Sequence, residues 1–112
     1  MFSHPEDNSH IRGALEEYVL SWPLVTIRFM FGCLAYMAKG KLFAFISDEG
    51  LVITNLDAES REALTESHEA FPFLFKDKPL GGWMQVIVAE ETEIEGIMSY
   101  VRQSYEAALA KA

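Results

Sequence analysis

The sequence predicts an α+β domain, an antiparallel five-stranded sheet with three helices gathered mainly on one face. Three observations predict it. Apolar residues recur at helical spacing near both ends of the chain, from Ile11 to Trp22 and from Ile94 to Leu109. Between Val25 and Leu56, β-branched and aromatic runs follow one another with only turns between them, as in an antiparallel meander. Helical and strand-like patterns are also segregated rather than regularly alternating, which argues against a parallel sheet. The predicted order is α-β-β-β-α-β-β-α within a single domain spanning residues 1–112.

Each element follows from local pattern. Ile11, Leu15, Tyr18, Val19 and Trp22 make one helical face, with Pro5, Asp7 or Ser9 as its start and Pro23 as its end. From Val25 the period becomes two. Val25, Ile27, Phe29 and Phe31 alternate with Thr26, Arg28 and Met30, and Gly32 is expected to be a bulge or a close backbone approach inside one long strand that resumes through Leu34 and Tyr36. Lys39-Gly40 turns the chain into the second strand, Leu42 to Ser47. Asp48-Glu49-Gly50 is the next hairpin loop, and Leu51 to Leu56 the third strand.

Asp57 is placed to cap a short helix from Ala58 to Glu66, with Leu64 inward. Phe71 to Phe75 reads as the fourth strand, Lys76 to Gly82 as a turn, and Trp83 to Val88 as the fifth strand. Thr92 and Glu95 stand in capping-box register before the last helix. Its stripe is Ile94, Ile97, Met98, Val101, Tyr105, Ala108 and Leu109.

Composition narrows the function. The net charge of −8 is the wrong sign for binding a phosphate backbone or an anionic lipid surface. Neither a nucleic-acid nor a membrane partner is therefore expected. The apolar stretch from Trp22 to Ala38 is interrupted by Pro23, Arg28 and Gly32 and is short for a span. Glu6 and Asp7 stand where a secretory leader would be basic and then apolar, so a cytoplasmic location is expected. One cysteine, Cys33, supports neither a disulfide framework nor a cysteine-rich zinc site.

The arrangement Arg28-x-Met30-Phe31-Gly32, then Gly40-Lys41-x-Phe43-Ala44, a Leu/Val strand, and Asp57 with Glu59, Arg61 and Leu64 resembles the N-terminal domain of the TfoX competence regulators. The aromatic segment, the Lys78-Pro79 turn and a closing helix extend the resemblance over roughly Pro23 to Ala110. It implies a fold similar to that of type III secretion chaperones, and it supplies no catalytic residue. The chain departs from the family pattern at Cys33-Leu34-Ala35, where glycine and tyrosine are usual, and it is expected to be a single domain without the regulators' second one. YjbR-like proteins are more distantly similar, sharing a late pair like Ser104-Tyr105.

Candidate chemistry is sparse. His4 and His10 lack the helical spacing of a zinc pair, and His68 with Glu66 and Glu69 marks a helix end. Cys33 lies among apolar neighbours and reads as an inert thiol. Glu90, Glu91, Glu93 and Glu95 complement the positive end of the last helix and match no calcium loop. Arg28, mid-strand, reads first as a charge on a solvated face or in an ion pair, and second as an anchor for a partner carboxylate.

The expectation is thus a non-catalytic regulatory or protein-interaction module that needs no cofactor. A homodimer is expected through the sheet face bearing Arg28, Met30 and Tyr36, because three modest helices hardly cover both faces. The alternative is a small-molecule-binding module or enzyme with Phe43, Phe45, Phe73 and Trp83 around a pocket.

Overall fold

The structure, a computed structural model, describes residues 9–30, 32–47, 50–88, 90 and 92–111. The elements are α1 (Ser9–Val19), β1 (Val25–Met30), β2 (Cys33–Ala38), β3 (Lys41–Ser47), β4 (Gly50–Ile53), α2 (Ala58–Ser67), β5 (Ala70–Phe75), β6 (Lys78–Ile87) and α3 (Glu93–Lys111). The strands form one antiparallel six-stranded sheet, ordered β1-β2-β3-β4-β6-β5. The class is α+β with three helices, as predicted. The strand count is not five, because the expected long first strand is two strands.

Gly32 explains the difference. Met30 pairs with Cys33, and Gly32 adopts φ +77°, so the chain folds back on itself where a bulge was expected. Left-handed backbone suits a tight hairpin and is open to glycine at little cost. An apolar run with period two looks the same whether the strand continues or reverses. Phe31, Asp48, Glu49 and the expected α1 start signals at Pro5 and Asp7 lie outside the described residues. The Lys39-Gly40 turn forms as expected, with both residues at positive φ.

A second correction concerns Lys76 to Gly82. Only Lys76 and Asp77 turn, both at positive φ, and β6 begins at Lys78. The register shifts between Pro72, paired with Met84, and Leu74, paired with Pro79. The residues 80–83 bulge there, with Gly81 at φ +30° and Gly82 at φ +86°. A Cβ at 82 would also lie 2.6 Å from Arg61 Nη1, so that side chain would have to shift.

The helices are built much as their patterns dictate. Asp57 caps α2, accepting from the Ser60 amide at 2.8 Å, and Leu64 is its buried residue. At α3 the cap differs from the expected Thr92–Glu95 pair. Glu93 reaches back to the Glu90 amide at 2.8 Å instead. Tyr18, expected inward on α1, is partly exposed, while Ile11, Leu15 and Val19 are buried.

All three helices feed one core. It joins Ile11, Leu15 and Val19 of α1, Leu64 of α2 and the α3 stripe to Tyr36, Phe43, Ile53 and Val86 of the sheet. The other face has its own small cluster of Ala35, Met37, Phe45 and Val52. Met30, Cys33, Leu42, Phe73 and Trp83 are packed around it, every one of them on a strand. Among the described residues, no helix is long and apolar enough to cross a membrane.

Candidate functional site

The helix-free face of the sheet is the natural place to look for recognition, and strand register defines it. Arg28 pairs with Ala35, Ala35 with Phe45, Phe45 with Val52, Val52 with Gln85 and Gln85 with Phe71. Opposed residues in an antiparallel pair share a face, so these side chains form one row across all six strands. The row is closed in the middle and open at the ends. Ala35 and Val52 are fully buried and Phe45 nearly so, whereas Arg28 on β1 and Phe71 on β5 are exposed.

The closure comes from aromatic side chains. Phe73 and Trp83 stand edge-on to Phe45, with ring centroids 5.5 and 5.7 Å away, and 6.1 Å from each other. Such geometry is favourable for aromatic quadrupoles. Phe43, expected beside them, lies on the opposite face with Tyr36, Trp22 and Tyr105. The structure therefore brings together three of the four aromatics and separates the fourth by the thickness of the sheet.

The residues expected to form the dimer face are also divided. Arg28 is exposed and Met30 half-buried on the helix-free side. Tyr36 is fully buried on the helix side. Alternation past the Gly32 reversal explains this. Cys33, Ala35 and Met37 take the helix-free face, leaving Tyr36 and Ala38 to the other. The Tyr36 hydroxyl donates to Glu16 Oε2 at 2.8 Å, and Arg12 Nε donates to the same oxygen at 2.9 Å. Burial, then the Glu16 carboxylate, pushes the phenol far above its ordinary value. Tyr36 thus fastens α1 to the sheet.

The other polar residues of the core act in the same way. Ser104 Oγ donates to the Phe43 carbonyl at 2.6 Å and accepts from the Asn55 amide at 3.0 Å. The Tyr105 hydroxyl donates to the Pro23 carbonyl at 2.7 Å. Asn55 Nδ2 donates to the Leu42 carbonyl at 2.8 Å, and Gln85 accepts from Ser47 Oγ at 2.9 Å. Arg61 Nη1 donates to the Leu56 carbonyl at 2.6 Å. Each bond ties elements distant in sequence, or closes a connection between them. Only the Ser104-Tyr105 pair and Arg61 had any signal in the sequence, as matches to family patterns. Asn55 and Gln85 had none, because their partners are set by register.

The remaining candidates are scattered. A cavity of about 260 Å³ lies between the end of α2 and the start of α3, lined in part by Ser67, His68, Glu69 and Glu93. His68 Nδ1 stands 2.8 Å from Ser67 Oγ, but that hydroxyl is also 2.9 Å from the Ala63 carbonyl and donates into its own helix. Among the described residues, no group of three or more His, Cys, Asp or Glu is placed to hold a metal ion. His4 and Glu91 lie outside the described residues; His10 falls within α1. Cys33 sits half-buried beside the helix-free cluster.

At the open end of the row, β1 is a terminal strand of the sheet. Arg28 has no ion pair among the described residues. Phe29 is 75% exposed, more than the other large exposed apolar residues among those described, such as Leu24 and Leu74 at 56%. β5, the other edge, is interrupted by Pro72, a common device for blunting edges; β1 has no proline.

No curated protein and no solved structure matches the chain. The TfoX N-terminal domain family matches residues 17–108, and the matched stretch runs from α1 through nearly all of α3. This chain belongs to the TfoX N-terminal domain family.

Proposed function

We propose that this domain is a non-catalytic, cytoplasmic interaction module of the competence-regulator type, acting through protein contacts made by its sheet. The observation that carries this reading is the β1 edge, where an exposed arginine, with no ion pair among the described residues, and a largely exposed phenylalanine adjoin an apolar sheet face. The buried polar residues support it as well. Ser104, Tyr105, Asn55, Tyr36 and Gln85 are engaged in holding elements together, so the fold spends its polar groups on scaffolding. The element order differs from the secretion-chaperone order by the one strand that the Gly32 reversal adds.

The test is capture of partners from lysate by the tagged chain, quantified by mass spectrometry against an unrelated acidic protein of similar size. Specific enrichment of one or a few proteins is expected. No specific partner under mild conditions would refute the reading. The small-molecule alternative would rest on Phe45, Phe73 and Trp83, with Phe43 on the opposite face. A thermal-shift screen addresses it directly, because a ligand present at about 100 times its Kd adds about 2.7 kcal/mol to stability.

A further inference from the structure

We infer that β1 accepts an extended segment of another protein as an added strand, one bearing a carboxylate opposite Arg28 and an apolar side chain against Phe29. The inference rests on the interaction reading above and names the site and the chemistry of the partner.

Charge is the first argument. The charged residues of the six strands are Arg28, Lys41 and Lys78, all basic, while the acids of the regular elements lie on helices: Glu16 and Glu17, Glu59, Glu62 and Glu66, Glu93, Glu95 and Glu106. Of these cations, Arg28 is the one on the β1 edge, exposed on the helix-free side. A carboxylate on an added strand is its electrostatic complement.

Geometry is the second. A terminal strand offers a row of backbone donors and acceptors, and an extended peptide completes the ladder. Side chains of β1 alternate, with Val25 and Ile27 toward the helix-side core and Arg28 toward the helix-free face. Phe29 follows Ile27 in the alternation but is left exposed. An added strand that alternates acidic and apolar residues meets Arg28 on one face and covers Phe29 on the other.

The same geometry disfavours a second copy. Two β1 strands related by a two-fold axis must match faces, so residues of the same parity oppose one another. The two registers that overlap nearly all of β1 are centred on Ile27 or on Arg28. The second sets the two Arg28 side chains directly opposite. The first sets Arg28 against Thr26, leaving the arginines on the diagonal, about 7–8 Å apart at Cα. Both place like charges within reach, whereas an acidic strand reverses the sign.

The experiment uses the full chain with blocked synthetic peptides alternating valine with glutamate, and counterparts carrying lysine in place of glutamate. Backbone amide shifts are followed by NMR. Shifts centred on Val25–Met30 are expected, with the glutamate peptide bound about two- to fivefold more tightly, in the range of exposed cross-strand ion pairs. Arg28→Glu inverts the preference and Arg28→Gln abolishes it, each with the fold retained by circular dichroism. Equal affinity for both peptides, shifts centred elsewhere, or binding of neither overturns the inference. So does a solution mass near twice 12.7 kDa with β1 amides already protected in the free chain. If lysate partners are captured equally well by Arg28→Glu, the interaction reading stands and the β1 site falls.

Discussion

Ser104→Ala separates two opposed effects by sign. Ser104 lies mid-way along α3 and is fully buried. Helix propensity alone favours alanine there by about 0.5 kcal/mol. Against it stands the loss of Oγ, the acceptor for the Asn55 amide at 3.0 Å and a donor to the Phe43 carbonyl at 2.6 Å. The carbonyl keeps a second donor, the Thr54 amide at 3.3 Å, so its loss is minor. The Asn55 amide loses its acceptor, and a donor left unsatisfied costs about 1–3 kcal/mol. The net is a destabilisation of roughly 0.5–2.5 kcal/mol. Unfolding entropy of about 2.1 cal/mol/K per residue amounts, for 112 residues, to roughly 0.24 kcal/mol/K. A fall in Tm of about 2–10 °C follows, measured by calorimetry at neutral pH. An unchanged or raised Tm would mean that the bridge between α3 and the β3–β4 end is not holding the fold, and that Ser104 is available for another role.

Tyr36→Phe removes a donor from Glu16, which keeps Arg12, so a loss of about 0.5–1.5 kcal/mol is expected in urea denaturation near neutral pH. Because folding raises the phenol pKa, that contribution is complete below the ordinary tyrosine range and fades as pH climbs toward the folded value. The wild type therefore loses stability relative to the variant only in strong alkali. Asp57→Ala removes the α2 cap. Hydrogen bonds from the Ser60 amide hold the Asp57 carboxyl below its ordinary value, so its advantage is present above the unfolded pKa and lost as pH falls through the lowered one. Melting curves of variant and wild type should converge in acid, and a constant gap would contradict the cap. Gly82→Ala meets Arg61 Nη1 and a φ of +86°, and is expected to cost at least about 1 kcal/mol by chemical denaturation. Arg61→Ala in the same background should recover part of it.

The elements were legible wherever one local period governed. The α3 stripe from Ile94 to Ala108, the Asp57 cap and the Lys39-Gly40 turn all appear where the pattern puts them. What was not legible depended on how the chain meets itself. Gly32 signals left-handed backbone, but a bulge and a reversal share that signal. Whether Tyr36 faces the helices depends on which occurs, so one ambiguous glycine moved a candidate site residue to the opposite face. The glycines at 81 and 82 look like a turn in sequence, and the neighbour of Gly82, Arg61, is contributed by α2. Phe43 and Phe45 are two apart on β3, yet Phe43 belongs to the helix-side core and Phe45 to the other. The irregular register between Tyr36 and Met37 on the neighbouring strand lies beside that switch, and no propensity encodes it.

The closed centre of the helix-free face favours the proposed β1 site over one at the middle of the sheet. Direct contact with Phe45 would mean opening Phe73 and Trp83, giving up two edge-on aromatic contacts worth about 0.5–1.5 kcal/mol each beyond their burial. Ala35 and Val52 have no accessible surface in the free chain. A strand added at β1 opens neither core. It uses backbone groups at the sheet edge, covers Phe29 and meets Arg28 where that side chain already faces water. The sheet's second cluster then serves the site mechanically. It fixes Met30 and the β1–β2 hairpin against Cys33 and Met37, so the edge is held in place before a partner arrives and less ordering is needed on binding.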